Sequence, residues 1–129
     1  MPSRAGDWFA QAERDLSHAA HSVDASDYDW ACFAAQQAAE KALKAVYQHL
    51  GGDARGHDLV ELLQGLEDRL QIPTDLPDRA IELGKHYIAT RYPNAHAQGA
   101  PYRHFTSGEA QRAIENAQEV LRFCSGHLA

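Results

Sequence analysis

The sequence predicts an all-α protein, an up-and-down bundle of four to five helices that forms a single domain over residues 1–129. Apolar residues recur every three or four positions along most of the chain, which is the spacing of one helix face. No segment shows the strict alternation of apolar and polar residues that is typical of a half-buried strand. Short stretches with Gly, Pro or Asp separate the periodic segments, so consecutive helices are expected to pack side by side.

The first two helices are predicted from their apolar faces. Asp7 is the expected N-cap of the first helix, whose apolar positions are Trp8, Ala12, Leu16, Ala19 and Val23. The second helix is expected from Tyr28 to Leu50, and Gly51 and Gly52 end it. A strip of small side chains along it predicts that another helix approaches closely: Ala31, Ala34, Ala35, Ala38, Ala42 and Ala45.

Two large aromatic side chains, Trp30 and Phe33, project from the other side of this second helix. That side is otherwise polar and carries Gln36, Gln37, Glu40, Lys41 and Lys44. One core does not account for aromatics on a polar face, so we expect a second copy of the chain to cover Trp30 and Phe33 in a homodimer. The alternative is that the first helix or a loop covers them.

Capping signals mark the remaining helices. The third is HDLVELLQGLEDRL, with Asp58 at its start. The fourth runs from Leu76 to Arg91 and stops there because Pro93 disfavours helical geometry in the residue before it. An irregular loop, PNAHAQGAP, follows. The fifth helix opens with a capping box at Thr106, and Gly126 is its expected C-cap.

Composition narrows the class of protein. No run of about 18 apolar residues is present, so no membrane span is expected, and the first residues lack the apolar region of a secretory signal. Cys32 and Cys124 fall on apolar helix faces, and two buried thiols are favoured over a disulfide. We therefore expect a cytoplasmic protein.

Motifs for common cofactors and metals are missing from the sequence. It contains no phosphate-binding glycine loop, dinucleotide fingerprint or paired-cysteine zinc motif. His18 and His21 have a spacing that a metal could use, but no third ligand accompanies them, and two surface histidines are favoured. We expect no cofactor and no metal.

The segment from Leu83 to Gly108 contains no Asp or Glu. Lys85, Arg91 and Arg103 give it a formal charge of +3, which leaves −9 for the rest of a chain whose net charge is −6. An acid-free cationic loop on an acidic domain favours a phosphate-bearing ligand, and its rings could stack on bases. The aromatic residues of the segment are Tyr87, Tyr92, Tyr102 and Phe105. The alternative is that the Arg residues pair with carboxylates of neighbouring helices.

Arg91 and His96 form a pair that could catalyse the cleavage of a phosphodiester. An Arg followed by a His with four to six residues between them is a loose pattern, and it occurs four times in the chain. Only Arg91 and His96 lie in the acid-free segment. His96 could take the proton from a ribose 2′-hydroxyl while Arg91 stabilised the charged phosphorus centre.

The sequence resembles the HEPN family (higher eukaryotes and prokaryotes nucleotide-binding) over nearly its whole length. The resemblance rests on DWFAQAERDL, WACFAAQQAAEKALKA, GHDLVELL, YIATRYPNA and AIENAQEVLRF. It implies a HEPN-like helical bundle that dimerises, often encoded beside a minimal nucleotidyltransferase in pairs that include toxin–antitoxin systems. It also implies two possible activities, because several members are metal-independent ribonucleases that use an Arg and a His separated by four to six residues.

Two functions are therefore expected. The first is a dimeric module that binds nucleotide phosphates and works with a nucleotidyltransferase partner; the RYPNA segment resembles the subgroup with this role. Its phosphate-binding and stacking residues would be Lys85, Arg91, Tyr92, Tyr102 and Arg103, with Gln37, Lys41 and Lys44 added if that helix face meets the loop. The alternative is a ribonuclease toxin in which Arg91 and His96 are catalytic. A helical protein without a ligand is the remaining possibility.

Overall fold

The computed structural model describes residues 3–129, and that part of the chain is helical without a strand. The α-helices are α1 (Ala5–Asp24), α2 (Tyr28–His49), α3 (Leu59–Gln64), α4 (Leu76–Gly84), α5 (His86–Ala89) and α6 (Ser107–Ser125). Two 3₁₀ turns, Pro93–Ala95 and Pro101–His104, lie between α5 and α6. The predicted all-α bundle is confirmed.

Helix α2 is the centre of the bundle and packs against both α1 and α6. Its bounds agree with the prediction to within one residue. The alanine strip is buried, and Ala31, Ala35 and Ala38 have no exposed surface. Both cysteines are free and buried, as the sequence predicts. Desolvation raises the pKa of the Cys32 thiol to about 12 and raises that of Cys124 as well.

Helix α1 begins earlier than the sequence predicts. Its N-cap is Arg4, and the side chain of Arg4 donates a hydrogen bond to Asp7. Asp7 therefore lies in the first turn, where a carboxylate interacts favourably with the exposed N–H groups of the helix end. No helix in the described range is long and apolar enough to cross a bilayer.

Helix α3 is shorter than predicted. Asp58 caps it as expected, because its Oδ1 accepts hydrogen bonds from the backbone N–H groups of Val60 and Glu61 at 3.0 and 3.2 Å. The helix ends at Gln64, and turns replace the predicted continuation to Leu70. The next residue is Gly65. The Tyr47 hydroxyl lies beside Gly65 and donates a hydrogen bond to the Leu62 carbonyl oxygen.

The predicted fourth helix is divided at Lys85 into α4 and α5. The Thr90 hydroxyl donates to the His86 carbonyl oxygen at 2.7 Å at the end of α5, and Pro93 starts the first 3₁₀ turn. Helix α6 has the predicted caps: Thr106 Oγ1 accepts from the Glu109 N–H at 3.1 Å, and Gly126 is the C-cap. Within the acid-free segment, α5 and the second 3₁₀ turn both contact α2.

Candidate functional site

Arg91 lies at the end of α5 and is held by backbone and aromatic contacts. Its Nε and Nη2 both donate to the carbonyl oxygen of Tyr87, at 2.9 and 2.5 Å. The guanidinium carbon lies 4.3 Å from the ring centre of Phe33, 4.7 Å from that of Tyr87 and 5.0 Å from that of Tyr92. Cation–π contacts fix the plane of the guanidinium while leaving N–H donors for a ligand.

The cations of the acid-free segment have no carboxylate partner among residues 3–129. The ion pairs in that range involve other residues, namely Arg4, Lys41, Lys44, His57, Arg79 and Arg122. Lys85, Arg91 and Arg103 are therefore not neutralised by direct ion pairs within the described chain. This arrangement differs from the alternative in which carboxylates of neighbouring helices pair with the loop.

His96 is fixed by the loop. Its Nε2 pairs with the Ala89 carbonyl oxygen at 2.6 Å, and because a carbonyl only accepts, the ring nitrogen is the donor. The ring stacks on His104 with centroids 4.1 Å apart and meets the edge of Phe105. In the part of the chain that the structure describes, no hydrogen bond joins His96 to Arg91. The sequence-predicted catalytic pair thus lies on one segment without a hydrogen bond between its two members in the described chain.

Tyr92, Tyr102 and Arg103 are on the outside of this loop. Tyr92 is half-exposed beside the Arg91 guanidinium. Tyr102, which is 65% exposed, and Arg103 belong to the 3₁₀ turn Pro101–His104, which packs against α2. Both side chains are accessible to a ligand.

Gln37, Lys41 and Lys44 are engaged within the fold. Gln37 donates to the side-chain oxygen of Gln36, Lys41 pairs with Asp15 of α1, and Lys44 pairs with Glu40. Among the described residues no hydrogen bond connects them to the acid-free segment. The Lys41–Asp15 ion pair joins α2 to α1, and the Lys44–Glu40 ion pair lies within α2.

The two aromatic residues of α2 have different surroundings. Phe33 is half-buried, and the Arg91 guanidinium lies over its ring. Trp30 meets the edge of Phe33 at 6.1 Å and is 50% exposed. An apolar surface made of Trp30, Phe33 and Tyr92 therefore surrounds the guanidinium.

Glu40 and His57 were not among the sequence-predicted site residues, and Tyr87 was named only as one of the rings that could stack on a base. Tyr87 contacts Arg91 and also stacks on the His57 ring, with centroids 4.3 Å apart and planes 18° from parallel. His57 in turn pairs with Glu40. The sequence signal for this cluster was the polar series Gln36, Glu40 and Lys44, spaced four apart on the polar side of α2.

The HEPN domain family model matches residues 5–127, which is nearly the whole chain. The chain belongs to the HEPN family. The helical bundle and the resemblance seen in the sequence agree with this match. No protein of curated function matches the chain significantly.

Solved structures of HEPN relatives share the fold. The Thermus thermophilus protein TT1696 is 46% identical, with a TM-score of 0.96 over 98% of this chain and 100% of that chain. An archaeal HEPN homologue is 36% identical, with a TM-score of 0.83 over all of both chains. A HEPN domain protein of Thermotoga maritima is 38% identical, with a TM-score of 0.78 over 95% of this chain and 97% of that one.

Proposed function

We propose that this HEPN domain is a homodimeric module that binds nucleotide phosphates and acts with a minimal nucleotidyltransferase in a toxin–antitoxin-like pair. Arg91 is the central phosphate-binding group, assisted by Lys85 and Arg103. Tyr92 and Tyr102 supply rings on which a base can stack. The partner is supported by the family resemblance, and co-purification with a small nucleotidyltransferase encoded beside the gene would test it.

One observation carries the phosphate-binding proposal: the guanidinium of Arg91 rests on three aromatic rings and has no carboxylate partner in the described chain. An Arg that only stabilises the fold is commonly paired with an acid. Here the donors not used by Tyr87 remain for an anion, and guanidinium matches the geometry of phosphate oxygens. A planar cation held over rings is also preorganised for binding.

The test is the affinity for AMP measured by calorimetry. We expect Arg91→Gln to weaken binding about tenfold or more, because a charge-assisted hydrogen bond contributes about 1.5–3 kcal/mol. Arg91→Lys should give an intermediate affinity, since an ammonium keeps the charge but not the flat contact with the rings. Rising salt should weaken binding of the wild type.

Arg122→Gln is the matched control, because it removes the same charge from the exposed surface of α6, where Arg122 pairs with Glu119. Equal AMP affinities for the wild type, Arg91→Gln and Arg122→Gln would contradict the proposal. A loss of affinity in Arg122→Gln alone would contradict it as well, because the phosphate would then bind at α6.

The second candidate is a metal-independent ribonuclease that uses Arg91 and His96. It is favoured by the position of both residues on one loop in the acid-free segment. Since the His96 ring nitrogen is bonded to Ala89, proton transfer through that atom requires the ring to leave the carbonyl. RNA cleavage without metal that His96→Ala abolishes would establish this activity. If the wild type leaves RNA intact and His96→Ala binds AMP as the wild type does, only the binding function remains.

A further inference from the structure

A buried carboxylate orients the imidazole of His57. Glu40 is only 4% exposed, and its Oε1 lies 2.9 Å from His57 Nδ1. The same carboxylate accepts from Gln36 at 3.3 Å and pairs with Lys44 at 3.2 Å. Gln36, which is fully buried, also donates to the backbone carbonyl oxygen of His57 at 3.3 Å. Helix α2 thus holds both the backbone and the ring of this histidine.

The pairing with Glu40 fixes which nitrogen of His57 carries the proton. An ionised carboxylate accepts hydrogen bonds but does not donate them, so Nδ1 is the donor. In the neutral ring Nε2 is then a hydrogen-bond acceptor, and its lone pair repels an anion. When the ring is protonated, Nε2 becomes a charged donor, so one proton changes this edge of the ring from repelling phosphate to binding it.

The His57 side chain is half-exposed and borders an open cleft of about 470 Å³. Cavities of this size are typical of small-molecule sites. The cleft has an apolar floor that includes Val60, Ile81 and Ile88, and its polar groups include Lys85. Tyr87 also lines the cleft, and its ring contacts both His57 and Arg91.

We propose that Glu40 and His57 form the pH-dependent part of the nucleotide site, where protonated His57 and Lys85 bind the phosphate of a nucleoside monophosphate whose apolar surface packs on Ile81 and Ile88. This inference rests on the proposed function, in which Arg91 and Lys85 bind the same phosphate; Lys85 lines the cleft, and Arg91 contacts the Tyr87 ring at its edge. Glu40 is a positioning residue, and His57 contacts the ligand.

The charged groups around His57 are consistent with this role. Glu40 and Lys44 belong to α2, Lys85 lies at the junction of α4 and α5, and the phenol of Tyr87 is in α5. Asp58 is the carboxylate that lines the cleft, and its Oδ1 already accepts from two backbone N–H groups of α3.

The experiment measures the affinity for AMP at about pH 6 and about pH 8, which bracket the charge change of most imidazoles. Wild type and His57→Gln are compared at each pH, because the phosphate also loses its second proton near pH 6. We expect the wild type to bind about tenfold more tightly than His57→Gln at the lower pH, and equally at the higher pH. Adenosine, which lacks the phosphate, should bind equally to both proteins.

Two matched variants separate this inference from a general charge effect. His49→Gln makes the same change at an exposed position near the end of α2 and should behave like the wild type. Lys85→Gln should weaken binding at both pH values and preserve the dependence on pH, because His57 is unchanged in this variant. A ratio between wild type and His57→Gln that is the same at both pH values would overturn the inference.

Nuclear magnetic resonance of the wild type provides a readout that does not depend on the stability of a variant. At about pH 6, addition of AMP should shift the His57 Nε2 signal, while the signal of Nδ1 should change little. An unmoved Nε2 signal in a protein that binds AMP through Arg91 would overturn the inference and leave the proposed function intact. If the wild type does not bind AMP at all, both are wrong.

Discussion

At the scale of single residues, His86 makes the stability of the protein depend on pH. Its Nδ1 is buried without a hydrogen-bond partner in the described chain, and its ring meets the edge of Phe105. Burial lowers the pKa of His86 below 6.5, although Glu109 and Glu82 oppose the shift. The folded protein therefore binds a proton at His86 less readily than the unfolded chain does.

The sign of the effect follows from this difference. The contribution of His86 to stability is fully present above about pH 6.5, the ordinary pKa of the unfolded chain, and is lost as the pH falls through the lower folded-state pKa. We expect His86→Phe, which does not titrate, to reduce the fall in thermal midpoint between about pH 7 and about pH 5. His18→Phe at an exposed position of α1 should leave that dependence unchanged. If the thermal midpoint falls equally over this pH range in the wild type and both variants, the prediction is wrong.

At the scale of elements, Gly65 decides where α3 ends. A Cβ added at this position would overlap the hydroxyl oxygen of Tyr47. That hydroxyl donates to the Leu62 carbonyl oxygen at 2.6 Å and so satisfies a carbonyl in the last turn of the helix. Glycine is required here because the hydroxyl occupies the space of a side chain.

We expect Gly65→Ala to destabilise the protein by about 1–3 kcal/mol, since the alanine methyl displaces the Tyr47 hydroxyl. The free energy of unfolding from denaturant titration measures this. Gly84→Ala is the matched control: an added Cβ meets nothing within 4 Å in α4, so it should be neutral or stabilising. In a Tyr47→Phe background Gly65→Ala should cost less, because the hydroxyl is gone; an undiminished cost would rule out this steric explanation.

Local signals predicted most of the elements because caps and periodic apolar faces depend on neighbouring residues. Asp58 and Thr106 were identified as caps from sequence alone, and the structure confirms both. The early end of α3 could not be predicted, because it depends on Tyr47 from another helix. The break between α4 and α5 at Lys85 is marked only by the single glycine Gly84, and apolar spacing continues across it.

The candidate site was predicted only in part. The acid-free segment and Arg91 could be found by counting charges along the sequence. The ring contacts of Arg91, and the cluster of Glu40, His57 and Tyr87, bring together α2, α5 and the residue before the α3 cap. Contacts between distant segments leave no mark on local spacing, which explains why this cluster was missed.

At the scale of the whole molecule, the apolar surface of Trp30, Phe33 and Tyr92 favours a dimer. We expect Trp30→Asp to give a monomer at micromolar concentration in sedimentation velocity, because a charge buried at an interface without a partner opposes association. The wild type should sediment as a dimer. Ala10→Asp adds the same charge to the exposed surface of α1 and should remain dimeric. Identical sedimentation of wild type and Trp30→Asp would contradict the predicted interface.

The alanines of α2 limit how far this helix can move relative to its neighbours. Methyl groups have no rotamers, so the distance between α2 and its neighbours is set by backbone shape rather than by side chains that could rearrange. Displacement of α2 along its axis and rotation about it should therefore be small. Glu40 belongs to the same helix, so its position should vary little. Its carboxylate therefore holds the imidazole of His57 in a constant orientation.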